Sequence, residues 1–222
     1  MDAVIKIGGS ILKNKSIKKL CEYLNELSKQ FRFVLLPGGG EYADLVRNHY
    51  QNFPISDNNA HWMAITCENI LGFFLVNNLE LGIPVFTLSE IAKAIESSKI
   101  PVFLPFQYLY EQDPLPHSWD VTSDSIAAYI AKCLQADKLI LVKDVDGIYT
   151  QDPKLKSVDK AEFISYINLN TNDLARTHSC TDFYLPTLLR NYNRACYIVN
   201  GLFPERLRQI LMNQKGIYTL ID

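Results

Sequence analysis

The stretch AVIKIGGS at residues 3–10 decides the fold prediction, because a short apolar run ends there at two glycines and a serine. A second stretch, FVLLPGGG at residues 33–40, has the same form. Between them, apolar residues recur at helical spacing from Ile17 to Phe31, which predicts a helix with one apolar face. Buried strands separated by helices indicate parallel strands joined by helical crossovers, in a sheet that is covered on both faces.

The same alternation continues along the chain and predicts one α/β domain with two lobes. A Pro- and Tyr-rich connection at residues 106–116 is expected to join the lobes. Further strands are expected at 84–87, 101–104, 138–142, 195–199 and 217–221, and further helices at 41–50, 59–79, 89–97, 126–134, 172–177, 186–193 and 204–212.

Composition and charge narrow the class of protein. Of the 222 residues, 48% are hydrophobic and 21% are charged, and the formal net charge is -2. Without a basic excess, the chain is not expected to bind nucleic acid. The five cysteines form no C-x-x-C and no zinc pattern, so free thiols in a reducing compartment are expected. Neither a signal peptide nor an apolar run of about 18 residues is visible, so we expect a cytoplasmic protein without a membrane span.

The two glycine clusters are candidate anion sites, because ligands of open α/β sheets bind beyond the carboxyl ends of the strands. Glycine lets backbone N–H groups approach an anion, and the following helix adds a partial positive charge. The alternative is that the glycines only permit tight turns. Neither cluster is a Walker A motif or a dinucleotide fingerprint. Lys6 lies within a strand that otherwise reads as buried, where an ammonium without a partner is unfavourable, so it is a candidate phosphate ligand.

Two polar clusters in the second half extend the candidate site. In SWDVTSD, residues 118–124, helix capping accounts for Thr122 and Asp124 but not for Trp119 or Asp120. In KDVDGIYTQDPK, residues 143–154, acidic residues follow the clearest strand. This second cluster is either a simple turn or part of a nucleotide and Mg²⁺ shell.

These segments, in this order, resemble the amino acid kinase superfamily, which includes acetylglutamate, aspartate, uridylate and isopentenyl phosphate kinases. The resemblance covers nearly the whole chain. It implies a three-layer αβα sandwich with a mostly parallel central sheet, in which residues 1–110 hold the acceptor and residues 111–222 hold ATP. It also implies transfer of the γ-phosphoryl group of MgATP to a carboxylate or phosphate oxygen, and a homodimer or higher homo-oligomer.

A narrower resemblance concerns the acceptor. GGGEYADLVR at 38–47, AHWMA at 60–64 and SWDVTSDSIAA at 118–128 look like the kinase branch of methanofuran biosynthesis, which converts a furan phosphomonoester to its diphosphate. Isopentenyl phosphate kinases carry a histidine soon after the triple glycine, whereas this chain has Glu41-Tyr42-Ala43-Asp44 there. The open alternatives are another acceptor, namely isopentenyl phosphate, UMP or an amino acid carboxylate, and a non-catalytic nucleotide-binding protein on the same fold.

The resemblance also implies residue roles. Lys6 would contact the transferring phosphoryl group, Asp124 would orient the lysines, and the second catalytic lysine would be Lys143 or Lys154. Backbone N–H groups of Gly8, Gly9, Gly38 and Gly39 would bind the acceptor phosphate. No protein side chain is assigned as a direct metal ligand, since Mg²⁺ would arrive with ATP. The full acceptor-binding set is Gly8, Gly9, Ser10, Gly38, Gly39, Gly40, Asp120, Thr122 and Ser123, and the nucleotide-binding set is Asp144, Gly147, Tyr149, Asp152, Pro153 and Lys154. For His61 and Trp119, both substrate contact and a purely structural role remain open.

Overall fold

One seven-stranded sheet runs through the part of the chain that the structure, a computed structural model, describes: residues 1–12, 17–148 and 180–221. The strands are β1 (Ala3–Ile7), β2 (Phe33–Pro37), β3 (Gly82–Val85), β4 (Ile100–Phe103), β5 (Lys138–Lys143), β6 (Cys196–Asn200) and β7 (Thr219–Ile221). Their order is β3-β4-β2-β1-β5-β6-β7, which puts β1 at the centre, between β2 and β5.

The two glycine-terminated runs form this centre. Every residue of β1 and β2 is buried, and β1 pairs in parallel with both β2 and β5. A strand that is covered on both faces needs an apolar residue at nearly every position, which explains why these runs do not alternate. Lys6 is the charged residue within β1, and it stands beside Leu36 of β2 and Leu141 of β5.

Helices cover both faces of the sheet. Neighbouring residues of β1 point into different cores, since Val4 packs with Val34 in one hydrophobic cluster and Ile5 packs with Leu35 in the other. The three-layer αβα sandwich is therefore confirmed. The helices are α1 (Gly9–Leu12), α2 (Ile17–Leu27), α3 (Gly40–Asn52), α4 (Asp57–Asn78), α5 (Leu88–Glu96), α6 (Phe106–Gln112), α7 (Ser123–Cys133), α8 (Leu185–Tyr192) and α9 (Glu205–Leu211).

Two local features were not predicted from the sequence. The connection expected at residues 106–116 contains a helix, α6, and the last strand, β7, runs antiparallel to β6 rather than parallel. The chain passes from α9 into β7 through a short connection, residues 212–218. β7 lies at the edge of the sheet, and an antiparallel pair does not need the long crossover connection that a parallel pair needs. The helix expected at 172–177 lies outside the described residues.

All five cysteine thiols are free, and three of them, Cys21, Cys67 and Cys196, are buried. Across the described residues, none of the helices combines the length and the apolar composition that a membrane span requires.

The start of α7 is held by a carboxylate from a distant part of the chain. Thr122 is the N-cap residue, as predicted, and its side chain accepts a hydrogen bond from the N–H of Asp124. The Asp182 carboxylate accepts hydrogen bonds from the N–H and hydroxyl of Thr122, at 2.8 and 2.9 Å, and from the N–H and hydroxyl of Ser125, at 3.0 and 2.7 Å. It also accepts one from the N–H of Leu185 at the start of α8. Asp182 therefore ties α7 to α8.

Replacement of Asp182 by Asn should lower the free energy of unfolding by about 3 kcal/mol, because the new NH₂ group faces donors and the charge is lost. Chemical unfolding monitored by circular dichroism measures this change. Asp120→Asn is the control, since its exposed carboxylate lies in the same connection. A loss for Asp182→Asn no larger than that of the control would contradict this account.

Candidate active site

The two glycine loops meet at the carboxyl edge of the sheet, because β1 and β2 are adjacent and parallel. A Cβ atom on Gly9 would lie 2.2 Å from the Cα of Gly40, so the two backbones touch where no side chain fits. Gly40 also has a positive φ of 52°, which favours glycine. Within the described residues, the N–H groups of Gly9, Gly39 and Gly40 donate no hydrogen bond. Together these amides form a surface that suits an anion.

Two of the predicted amide donors are used by the sheet instead. The N–H of Gly8 donates to the carbonyl of Val142 at 2.9 Å, and the N–H of Gly38 donates to the carbonyl of Ile7 at 2.8 Å. The expectation that these two N–H groups bind a phosphate is therefore wrong in this structure. Both glycines extend the parallel register beyond the strands, and this brings the next residues of each loop together.

Beneath the loops lies a buried cluster of two lysines and one aspartate. Lys6 Nζ lies 3.0 Å from Asp124 Oδ1, and Lys143 Nζ lies 2.9 and 2.7 Å from Asp124 Oδ1 and Oδ2. The three side chains come from β1, β5 and the first turn of α7. All three residues are buried, with Asp124 only 2% exposed. One carboxylate thus holds two ammonium groups side by side.

The charges in this cluster are strongly coupled. Burial opposes ionisation of Asp124, yet Lys143 and Lys6 lower its pKa to about 2, so the carboxylate stays charged. Burial lowers the pKa of Lys6, and the charge of Lys143 acts in the same direction. Burial would also lower the pKa of Lys143, but its ion pair with Asp124 raises it. A group of negative oxygens placed at Lys6 would relieve the repulsion between the two lysines.

A cavity of about 430 Å³ opens in front of this cluster and the loops; we call it the glycine-loop cavity. Its wall comes from the two loops, one face of α3 and α4, and residues 117–126. The predicted residues that line it are Lys6, Gly9, Ser10, Gly38, Gly39, Gly40, Thr122 and Ser123.

Other predicted residues do not line this cavity. Asp120 is exposed and Gly8 lies behind the loop, so the geometry does not bring either to the predicted acceptor site. Asp144 and Gly147 follow β5, in the loop where the nucleotide side was expected. Tyr149, Asp152, Pro153 and Lys154 lie outside the described residues.

Three residues of the cavity wall, Asp57, Glu68 and His117, were not predicted from the sequence. Asp57, His61 and Glu68 project from one side of α4 into the cavity, and His117 stacks on His61 with ring centroids 4.3 Å apart. Burial and the neighbouring His117 lower the pKa of His61 to about 4, so its imidazole is neutral at pH 7. Polar residues at intervals of four and seven along a long helix are the signal that could have identified this stripe.

An aromatic and cationic group forms the outer wall. Trp119 lies 5.7 Å from Tyr50 between ring centroids, and the guanidinium of Arg47 sits 4.7 Å from the Trp119 ring. His61 and Trp119, whose roles were left open, therefore both line the cavity.

Asp146 has a structural role in the loop after β5. Its carboxylate accepts hydrogen bonds from Asn200, at 3.0 Å, and from Arg206. These contacts fix the turn after β5 against β6 and α9.

Comparisons with known proteins agree with this geometry. The sequence model of the Amino acid kinase family matches residues 1–181. The chain is 36% identical, over 98% of its length and 96% of the relative's, to [5-(aminomethyl)furan-3-yl]methyl phosphate kinase of Methanocaldococcus jannaschii. It is 26% identical to uridylate kinase of Methanococcoides burtonii, over 95% of the chain and 91% of that protein.

Solved structures share the fold. The crystal structure of UMP kinase from Ureaplasma parvum superposes with a TM-score of 0.74 at 22% identity, covering 100% of this chain and 98% of that one. The family match over most of the sequence and the full-length relative lead to one conclusion. The chain belongs to the amino acid kinase family and is a phosphotransferase.

Proposed function

We propose that this kinase transfers the γ-phosphoryl group of ATP to the phosphate of [5-(aminomethyl)furan-3-yl]methyl phosphate and so forms the diphosphate used in methanofuran biosynthesis. The observation that carries the reaction type is the pair of buried lysines held by Asp124 beneath two touching glycine loops. The acceptor is inferred from the printed activity of the 36% identical relative.

The residues of the site suit two phosphate groups brought face to face. Phosphoryl transfer requires mainly positioning and stabilisation of negative charge. Lys6 and Lys143 carry two positive charges against one on Asp124, so the cluster keeps a net positive charge. The free amides of Gly9, Gly39 and Gly40 add donors at the same place. No general base is needed, because the attacking phosphate oxygen is already anionic.

We assign the roles as follows. Lys6 binds the phosphate oxygens between donor and acceptor, and Asp124 holds Lys6 and Lys143 in place. Lys143, rather than Lys154, is the second catalytic lysine, because its ammonium group bonds Asp124 directly. ATP, when bound with Mg²⁺, supplies the phosphoryl group. The amides of Gly9, Gly39 and Gly40 hold the acceptor phosphate.

The division between acceptor and nucleotide follows the halves of the chain. We propose that residues 1–110, with Thr122 and Ser123, hold the acceptor, and that residues 111–222 hold the nucleotide. Asp144, Gly147, Tyr149, Asp152, Pro153 and Lys154 remain the proposed nucleotide side. Mg²⁺ would keep several waters, since no protein ligand is assigned to it.

The outer part of the glycine-loop cavity suits a small aromatic ring. Its volume of about 430 Å³ lies within the usual range for small-molecule sites. Trp119, Tyr50 and His61 present flat faces or edges to it, and a furan could pack against them. The lysine cluster argues against a non-catalytic binding protein, which would have no use for groups that stabilise a transferring phosphoryl group.

A panel of acceptors tests this function directly. With MgATP, the furan phosphomonoester should be converted to its diphosphate far faster than UMP, isopentenyl phosphate, glutamate or aspartate, as measured by ADP release and by phosphorus NMR of the product. Turnover of amino acids with no activity on any phosphomonoester would refute the proposal.

Replacement of Asp124 by Asn should lower kcat by on the order of 10²–10³, because Lys6 and Lys143 lose the group that positions them. ATP affinity should change much less, since the nucleotide contacts lie mostly beyond Lys143. Lys6→Met should behave alike. Steady-state kinetics and nucleotide binding measure both effects, with a thermal melt as the folding check.

Asp137→Asn is the matched control, because this aspartate is exposed and precedes β5 away from the cavity. If Asp124 only complements the dipole of α7, Asp124→Asn would lose only about 0.3–1 kcal/mol of stability and keep near wild-type turnover. That result would remove Asp124 from the site.

We also propose that the protein is cytoplasmic and works as a homodimer or higher homo-oligomer. Tyr42 and Leu45 on α3 and Ile70, Phe73 and Phe74 on α4 are large apolar side chains that are 40–55% exposed. Tyr42, Ile70 and Phe74 also line one hollow between the two helices, so these three side chains form one continuous apolar patch. Continuous exposed apolar surface of this kind favours association with a second copy.

Sedimentation velocity should therefore give at least twice the monomer mass of 25.3 kDa. Phe73→Glu together with Phe74→Glu should shift the protein toward the monomer, because two charges would be buried at the contact. A wild-type protein that sediments as a monomer at micromolar concentration would rule the oligomer out.

A further inference from the structure

Glu68 is a buried carboxyl group that the proposed transfer chemistry does not use. It lies on α4 in the wall of the glycine-loop cavity, near Lys6 and the second glycine loop. The residue is 4% exposed, and its Oε2 atom has no hydrogen-bond partner within the described part of the chain. A buried polar atom without a partner is unfavourable, and natural proteins keep few of them. Glu68 lines the glycine-loop cavity, which indicates that a ligand bound there supplies the missing partner.

The other carboxylates at the site already have partners. Asp57 accepts a hydrogen bond from the hydroxyl of Tyr50, Asp44 pairs with Arg47 at 3.8 Å, and Asp124 is held by both lysines. Asp44 and Asp57 are also exposed, so water can solvate them. Glu68 differs from all three, because it is buried and retains an open acceptor atom.

Lys6 does not donate a hydrogen bond to the Oε2 atom of Glu68. Its ammonium bonds Asp124, and the two lysines of the cluster share that single carboxylate. The expected ligand therefore has to bring a donor of its own, and a cation is favoured next to a carboxyl group.

We propose that Glu68 binds a primary ammonium group of the acceptor, so that the enzyme selects phosphomonoesters that carry an amine. This inference rests on the proposed function, whose acceptor has both a phosphate and an aminomethyl group. The glycine loops and Lys6 offer positive potential for the phosphate, and Glu68 offers a negative oxygen for the amine. UMP and isopentenyl phosphate have no ammonium group, so they would leave Glu68 without a partner.

The protonation of Glu68 is set by opposing effects of burial and of neighbouring charges. Burial raises the pKa of Glu68 well above its usual range and so favours the neutral carboxyl group, while the charge of Lys6 lowers this pKa. A bound ammonium group would lower this pKa and so favour the ionised carboxylate. A different possibility is that a neutral Glu68 donates a hydrogen bond to the acceptor phosphate, and this would give no preference for an amine.

The test compares two acceptors of similar shape, of which only one carries an ammonium group. The first is [5-(aminomethyl)furan-3-yl]methyl phosphate, and the second is the analogue with an ethyl group in place of aminomethyl. The wild-type enzyme should prefer the amine on the order of 10–100-fold in kcat/KM, the value expected for a hydrogen bond to a charged group. Glu68→Gln, which keeps shape and hydrogen bonding but not charge, should reduce this preference to near one, mainly through KM for the amine.

Glu80→Gln and Asp57→Asn are the controls, and both should retain the preference. Glu80 is exposed and follows α4, whereas Asp57 lies in the cavity and is the competing site for the amine. Loss of the preference in Asp57→Asn but not in Glu68→Gln would overturn the inference. So would equal losses on both furans in Glu68→Gln, which would indicate contact with the phosphate.

The wild-type comparison does not depend on any variant folding well. If the wild-type enzyme phosphorylates both furans equally, Glu68 does not select the amine, although the proposed function stands. If it phosphorylates UMP and neither furan, the proposed function is wrong and the inference falls with it.

Discussion

The ion pairs between Asp124 and two buried lysines are the constraint on which the rest of the site depends. Three buried charges are tolerated only when their geometry is well defined, and each comes from a different element. The parallel register sets the lysines, because Ile7 pairs with Val142, so Lys6 and Lys143 approach the same edge of the sheet. The position of Asp124 depends on α7, whose first turn is held by Asp182.

In the proposed function, the site at this edge of the sheet has two parts, one that contacts phosphate groups and one that faces the rest of the acceptor. In the proposed function, the glycine loops and the lysine cluster contact only the phosphate groups, which fits relatives that are named as a furan phosphate kinase and a uridylate kinase. The wall that faces the remainder of the acceptor comes from α3, α4 and residues 117–126. His61, Glu68 and Trp119 lie on that wall, so in the proposed function the choice of acceptor would depend on these side chains.

Strands, helices and caps that depend on residues close together in the chain could be predicted from the sequence. Apolar runs that end at glycines predicted β1 and β2, and helical spacing predicted α2, because strand burial and helix amphipathicity leave local patterns. The cap at Thr122 predicted the start of α7 for the same reason. Lys6 stood out as a charge within a buried strand, and Asp124 followed from the resemblance to a family of kinases.

Which backbone amides and side chains contact one another depends on the tertiary structure. The N–H groups of Gly8 and Gly38 donate hydrogen bonds to carbonyls of neighbouring strands, whereas those of Gly9 and Gly40 donate none within the described residues. This difference follows from the register of the sheet, which a glycine-rich sequence does not reveal. Asp182 gave no signal in the sequence, and Glu68 gave only its place in a polar stripe of α4. The role of a buried carboxylate depends on the partners that distant segments of the chain bring to it. The antiparallel direction of β7 also depends on the tertiary structure, because it follows from the point at which the chain returns to the edge of the sheet.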